Sequence, residues 1–476
     1  CISQWGYDFR PSYLAIAEVR KLKPDVAVLA LTATATPKVV DDIQERLNFR
    51  QKNVFRMSFE RSNLAYIVRD TMDKHTELIH ILNAVAGSAI VYVRSRKHAS
   101  DIASHIFSAN ISATFYHAGL EPAVKNQRQN SWQQNEARVV ATNAFGMGID
   151  KPDVRLVVHM DCPDSIEAYF QEAGRAGRDG KKAYAVLLWN NSDRRKLNKR
   201  VAETFPEKGY IKEVYEDLAY YYQIGVASGA GYSFVFEIDK FCRTFKHFPV
   251  QTHSALQILE RAGYIHYEMD PEARARVMFK LGRNDLYRLD EGSAFEEAVI
   301  TALLRNYGGL FSNYVYIDES LLAQEAELTT HQVYVILKNL AQRNIINFIP
   351  QRKTPFITYL RDRVDGDRVV LSKEIYEDRK AQYVARINAM QAYASNNDVC
   401  RSRQLLIYFG EERHKDCQQC DVCLEHISPE PSNEQTTLAR NAILNLLKDG
   451  ERHHISELHK LNLPKKGLDI ALEYLI

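Results

Sequence analysis

Val140-Ala141-Thr142-Asn143-Ala144-Phe145-Gly146-Met147-Gly148-Ile149-Asp150 starts as an apolar run and breaks into a loop with two glycines. Around it, apolar runs at 89–93, 138–141 and 154–159 alternate with stretches of helical spacing at 75–85, 96–108, 121–134 and 165–173. Strands buried on both faces read as continuous apolar runs, and strand–helix–strand at this spacing requires parallel strands joined by crossover helices. The chain is therefore expected to hold an α/β lobe with a parallel sheet over 70–190. Ligands of open parallel sheets sit at the carboxyl ends of the strands. Thr142 can donate to a phosphate there, Asp150 can accept from a ribose hydroxyl, and Gly148 belongs to the same candidate nucleotide loop.

Just downstream stands Gln171-Glu172-Ala173-Gly174-Arg175-Ala176-Gly177-Arg178-Asp179-Gly180. Arginines three residues apart share a face if the segment is helical, and the glycines allow close approach of a phosphate chain. Arginine offers a rigid fork of donors that fits phosphate oxygens and keeps its charge at any useful pH. A cation at a transferring phosphoryl group is what phosphoryl-transfer catalysis needs. A surface Arg/Gly turn is the bland alternative, which ten residues in this pattern disfavour.

Upstream, Leu29-Ala30-Leu31-Thr32-Ala33-Thr34-Ala35-Thr36 ends an apolar run, Val26 to Leu31, that is expected to be a strand buried on both faces. Its threonines suit either a ligand loop or a helix cap. A helix is expected over 37–47, with Pro37 in its first turn. Ser3-Gln4-Trp5-Gly6-Tyr7-Asp8-Phe9-Arg10-Pro11 gathers three aromatics and an arginine. It reads equally as a base-stacking loop or as core packing.

After residue 190 the texture changes. Leu256 to Leu259 leads through Gly263 into an apolar stretch at 264–267, and Leu337 to Leu340 leads through Asn344 into another at 344–348. Each is an amphipathic helix, a left-handed cap and a strand, with a further strand expected near 274–280 and 355–361. Two successive winged-helix units, 200–290 and 291–372, are expected; two unrelated helix–hairpin units are the alternative. The basic stretch Arg194-Arg195-Lys196-x-x-Lys199-Arg200 suits phosphate contact or, more simply, a solvated helix face.

Of seven cysteines, Cys1, Cys162 and Cys242 are scattered, while Cys400, Cys417, Cys420 and Cys423 are crowded. Four thiolates can close a tetrahedral shell around Zn²⁺, and Arg401 to Gly410 reads as a helix ending on a glycine cap that returns Cys400 to the other three. His414 is the nearest rival ligand. The segment 373–430 is thus an expected zinc module, and 431–476 the start of a further helical or winged-helix unit.

The 476 residues suffice for three or four domains, and 45% hydrophobic with 26% charged residues is ordinary for a folded protein. No run of about 18 apolar residues is present, so no membrane partner is expected. A formal net charge of +2 neither demands nor forbids nucleic acid.

In this order the motifs resemble the RecQ family of superfamily-two helicases. Ser3 to Pro11 matches that family's aromatic-rich loop, and Leu31 to Thr36 its motif III. Val91 to Arg94 with Tyr116-His117-Ala118-Gly119-Leu120 matches the region of motif IV, Thr142 to Asp150 motif V and Gln171 to Gly180 motif VI. The zinc segment matches as well, through Cys400, Arg401, Arg403, Leu405, Leu406, Tyr408, Phe409, Gly410 and the last three cysteines. The resemblance implies two RecA-like lobes, with 1–60 the end of the first and 70–190 the second. Arg178 is then the arginine finger with Arg175 beside it, and Gln171 links the DNA and nucleotide sites. Trp5, Phe9 and Arg10 sense single-stranded DNA; Tyr7 stands where bacterial members usually carry histidine. Implied too are ATP and Mg²⁺, single-stranded, junction or partial-duplex DNA, 3′–5′ unwinding in repair and recombination, and a bacterial, cytoplasmic, nucleoid-associated setting. Residues 1–476 contain neither a Gly-x-x-x-x-Gly-Lys-Ser/Thr loop nor an Asp-Glu-Ala-His box, so this chain by itself is expected to be inactive. The rival from another class is a non-catalytic DNA-binding protein with winged helices, zinc and a relic motor lobe. One departure is plain: residues 190–400 separate lobe and zinc segment, where the common bacterial layout joins them closely.

Overall fold

A computed structural model describes residues 16–476 except 33, 143–149, 269–274, 283–292, 312–313, 351–354, 413–414, 428–431, 451–452, 454–457, 459–460, 462, 464 and 476. The chain up to Arg200 forms one compact unit with the chain from Gln382 onward; Val201–Ala381 forms another.

The first unit is built on six strands: β1 (Leu64–Asp70), β2 (Ser88–Tyr92), β3 (Ala113–Tyr116), β4 (Val139–Thr142), β5 (Val154–His159) and β6 (Ala183–Trp189). All pair in parallel, in the order β1-β6-β5-β2-β4-β3. The expected lobe start at 70 falls short, because β1 already begins at Leu64 and pairs with β6 along its whole length. The helices at Lys74–Ala84, Arg96–Ser108, Pro122–Gln133 and Ile166–Ala173 follow the expected periodicity. Three of the four starts are fixed by side chains: Asp73 accepts from the His75 and Thr76 amides, Ser95 from His98 and Ser165 from Ala168; the helix at 122 starts on a proline instead. Each cap satisfies helix donors that have no partner within the helix. Leu78, Leu82, Ile102 and Ile106 bury one sheet face with Val91, Ala141 and Val158. Trp132 is fully buried and its Nε1 donates to the Ala89 carbonyl at 3.2 Å.

The expected strand at 26–31 is not formed. Leu29 is 77% and Leu31 85% exposed, and no strand among the described residues pairs with this segment. An apolar run becomes a buried strand only where neighbours take up its backbone donors and acceptors. The helix after it is present as Pro37–Arg46, with Pro37 in its first turn.

In the second unit the four expected strands appear as β8 (Ile265–Glu268), β9 (Arg276–Phe279), β11 (Ile346–Ile349) and β12 (Phe356–Tyr359), with two that were not expected, β7 (Ser233–Val235) and β10 (Val315–Tyr316). Gly263 (φ 72°) and Asn344 (φ 58°) take the left-handed conformation before β8 and β11. The pairing differs from chain order. β8 pairs with β12, giving the sheet β7-β12-β8, and β9 pairs with β10 and β11, giving β10-β9-β11. One winged-helix unit, closed by β9 and β11, is thus inserted between the two wing strands of the other, and a division at 290/291 cuts through that insert. Short strands of the same length and alternation carry no local label for their partner, so burial of the whole sheet decides. Phe279 and Val277 pack with Val299, Leu303 and Leu337 in the inserted unit. Ile357 and Tyr359 are fully buried on β12 in the outer one, where Tyr359 meets Tyr215.

Candidate nucleotide site and zinc site

Thr142, Tyr92 and His159 are the last residues of β4, β2 and β5, in register across three neighbouring strands. β4 and β5 lie on opposite sides of β2, which makes this row the topological switch point of the sheet, where α/β folds bind ligands. Thr142 is fully buried. Asp150, beyond the loop, is exposed and accepts from Arg178 Nη1 at 2.8 Å. Asp150, the last residue of the candidate nucleotide stretch, and the second arginine therefore meet. An exposed ion pair of this kind contributes little to stability and can be exchanged for another anion.

The turn that carries Arg178 is held by residues the sequence did not advertise. The Arg61 guanidinium donates to the carbonyls of Gly174, Ala176 and Gly177 at 3.2, 2.9 and 3.1 Å. Asn63 Nδ2 donates to Gly177 and Lys181 carbonyls at 2.7 and 2.9 Å. The Gly177 amide reaches the Val154 carbonyl at 2.8 Å, and the Asp179 amide the Pro152 carbonyl at 3.1 Å. Gly177 has φ +64°, and a Cβ there would lie 2.6 Å from Asn63 Nδ2, so no other residue fits. Arg61 and Asn63 have no motif spacing to mark them; their only signal is a position just before an edge strand.

Arg175 differs from its neighbour. It is 5% exposed and lies near the buried Tyr92 hydroxyl. Burial pushes that hydroxyl well above the ordinary tyrosine range, so it stays protonated. Gln171 lies exposed on its helix. Trp5, Tyr7, Phe9, Arg10, Gly148 and His414 lie outside the described residues. The basic stretch divides: Arg194 and Arg195 are exposed, while Arg200 turns inward to Asp164 and the Cys162 carbonyl. Asp164 also accepts both arms of the Arg94 fork at 2.8 Å.

The sulfurs of Cys400, Cys417, Cys420 and Cys423 all lie within 4.8 Å of one another. A tetrahedral zinc–thiolate shell, with bonds near 2.3 Å, needs sulfurs about 3.8 Å apart. Backbone amides already point at them: Cys417 N–H to Cys400 Sγ at 3.2 Å, Cys423 and Arg401 N–H to Cys420 Sγ at 3.4 and 3.5 Å. Such donors favour thiolates. The Cys417 and Cys420 thiols hold Cys400 far below the ordinary range, and Cys400 in turn pushes Cys420 up. A dication resolves that competition, so the four residues fit zinc. Arg401, almost fully buried, ties the segment together through the Tyr393 carbonyl (2.6 Å) and Asp421 (2.9 Å). The module packs on the helix leading to Arg175: Tyr408 Oη donates to Glu167 at 2.8 Å, and Phe409 meets Phe170 at 5.0 Å.

No helix among the described residues is long and apolar enough to cross a membrane. The family model for the helicase conserved C-terminal domain matches residues 73–180. That for the RecQ helicase winged-helix domain of Bacteroidota matches 277–350, and that for RecQ zinc binding matches 360–424. The middle match begins in β9 and ends beside β11, the span of the inserted unit. The ATP-dependent DNA helicase RecQ of Haemophilus influenzae is 42% identical over 205 residues, covering 43% of this chain and 33% of the relative. The probable ATP-dependent DNA helicase RecS of Bacillus subtilis is 42% identical over 193 residues, 40% of this chain and 39% of the relative. The RecQ-like DNA helicase blm-1 of Caenorhabditis elegans is 40% identical over 239 residues, 48% and 24%. The chain thus spans between a quarter and two-fifths of these relatives. With a helicase C-terminal lobe, a RecQ winged helix and a four-cysteine RecQ zinc segment in one sequence, the chain belongs to the RecQ helicase family.

Proposed function

We propose that these residues are the C-terminal part of an ATP-dependent DNA helicase that moves 3′ to 5′ on single strands and opens partial duplexes or junctions in repair and recombination. The observation that carries the reading is Arg178. It is held by a turn that Arg61, Asn63 and Gly177 lock in place, and it pairs at 2.8 Å with the exposed Asp150, the last residue of the candidate nucleotide stretch that begins on β4. ATP and Mg²⁺ would be bound by a phosphate loop that residues 1–476 do not contain, and Arg178 would meet the γ-phosphate as the lobes close. Asp150 would then release the guanidinium. Zinc would sit on Cys400, Cys417, Cys420 and Cys423 as a structural ion. The setting is bacterial cytoplasm, at the nucleoid.

The test is DNA-stimulated ATP hydrolysis. Residues 1–476 alone should hydrolyse none. In a full-length protein, Arg178→Ala should lower kcat on the order of a thousandfold, the scale of an arginine finger. Wild-type turnover in that variant overturns the reading in favour of a DNA-binding protein with a relic lobe.

A further inference from the structure

Residues 58–61 belong to no helix or strand, so side chains from elsewhere decide where their backbone runs. One set of those side chains comes from the cysteine module. Glu411 accepts from the Ser58 hydroxyl at 2.7 Å and from the Phe59 amide at 2.5 Å. Gln419, between Cys417 and Cys420, donates from Nε2 to the Ser62 and Leu64 carbonyls at 2.9 and 3.2 Å, and its Oε1 accepts from Lys182. Phe59 stacks on Phe409 with ring centroids 4.7 Å apart and meets Phe170 edge-on at 6.0 Å.

The same short segment also grips the arginine turn. The Arg61 guanidinium and the Asn63 amide end on the carbonyls of Gly174, Ala176, Gly177 and Lys181. Both reach the Gly177 carbonyl, at 3.1 and 2.7 Å, and that oxygen belongs to the peptide whose nitrogen is Arg178's. A peptide is planar, so holding its oxygen sets the direction in which the next Cα, and its side chain, departs. Hydrogen bonds thus run without a break from Glu411 and Gln419, through 58–64, to the backbone of Arg178. The stacked rings supply apolar area; the hydrogen bonds add direction, because they weaken steeply off line.

We infer that Glu411 and Gln419 are positioning residues: they anchor the strap 58–64, and the strap, through Arg61 and Asn63, holds the peptide from which Arg178 leaves. The inference rests on the proposed role of Arg178, and it gives the cysteine module a part in phosphoryl transfer beyond its own fold. Gln419→Leu removes the amide at similar size, and Glu411→Leu removes both acceptors. A misplacement of about an ångström at reacting groups costs up to about a hundredfold in rate. In the zinc-loaded full-length protein with saturating single-stranded DNA, each variant should lose about tenfold to a hundredfold in kcat, with the KM for ATP and the zinc content unchanged. Amide exchange along 174–180 should quicken in both. Because Gln419 acts through the strap, Gln419→Leu should add little to Arg61→Lys; independent effects would multiply instead. Should Gln419→Leu lose zinc, Glu411→Leu, six residues before the nearest of the last three cysteines, decides. Unchanged exchange along 174–180 overturns the anchoring whatever Arg178 does. Quickened exchange with wild-type kcat, or multiplying losses in the double variant, overturns the positioning role if Arg178→Ala is inactive. An active Arg178→Ala overturns the reading beneath it, and the positioning role with it.

Discussion

In the parallel sheet, every strand except β4 is followed by a helix among the described residues, and all six strands come from one stretch of sequence, 64–189. The winged-helix pair is assembled otherwise. Its two sheets have the same layout, three antiparallel strands with the wing strand central. Yet β9, which follows β8 in the chain, completes the inserted sheet, and β12, which follows β11, completes the outer one. Chain order names the neighbours in neither region, since β1 lies beside β6 and β2 between β5 and β4, but in the lobe every pairing stays within one unbroken stretch. The lesson is that a helix–cap–strand signature announces a unit without saying which later strand closes it. An outer unit with an insert in its wing also places 87 residues, 269–355, between its wing strands β8 and β12, and loop closure over that length costs little more than over a short one.

Zinc removal should give the largest difference between the regions. Structural zinc contributes on the order of 10 kcal/mol in small modules. Chelation, or Cys420→Ser, should abolish amide-exchange protection at 401–424 and weaken it along 166–173, which Tyr408 and Phe409 support. Protection within 201–381 should persist, and joint loss in both regions contradicts the separation. Next come the exchanged strands. Ile357→Ala should destabilise the outer winged helix and Phe279→Ala the inserted one, each by about 3 kcal/mol. Exchange along 208–221 should report the first and along 294–306 the second; chain-order pairing predicts the reverse assignment. A smaller effect is confined to the lobe: Gly177→Ala forces a side chain into a left-handed position against Asn63, at about 1–3 kcal/mol, without changing the winged helices.

The smallest is a pH effect in the outer winged helix. Burial lowers the His253 pKa, and its Nδ1 is buried without a partner beside Tyr267. Below about pH 6.5 the unfolded chain therefore takes up a proton before the folded one. The stabilising contribution is complete above that pH and is lost as pH falls toward the lowered folded value. Thermal melts of this unit should drop slightly between pH 7 and 5, and His253→Phe should flatten the dependence; an unchanged slope in the variant rules the histidine out.

Much of the candidate site was legible before any coordinates. The four cysteines come together as their spacing implied, and the 140–150 and 171–180 stretches meet through Asp150 and Arg178. Those readings work because a metal shell and a phosphate loop need particular residue types at fixed intervals. Arg61, Asn63 and His159 were not legible, since each acts from another element and carries no interval of its own. The equality suggested by two arginines three residues apart was likewise misleading: Arg175 is buried and Arg178 is not.

Hydrophobic spacing marked the lobe helices at 74–84, 96–108, 122–133 and 166–173 and the strands at 88–92, 139–142 and 154–159, because spacing and caps are properties of a dozen consecutive residues. It determined the α/β character of the lobe, the left-handed turns at Gly263 and Asn344, and the zinc ligands. Which strands pair, which arginine is buried and whether 26–31 becomes a strand were decided by tertiary structure alone. Backbone donors and acceptors are alike in every strand, and only the burial achieved by the whole assembly separates one partner from another.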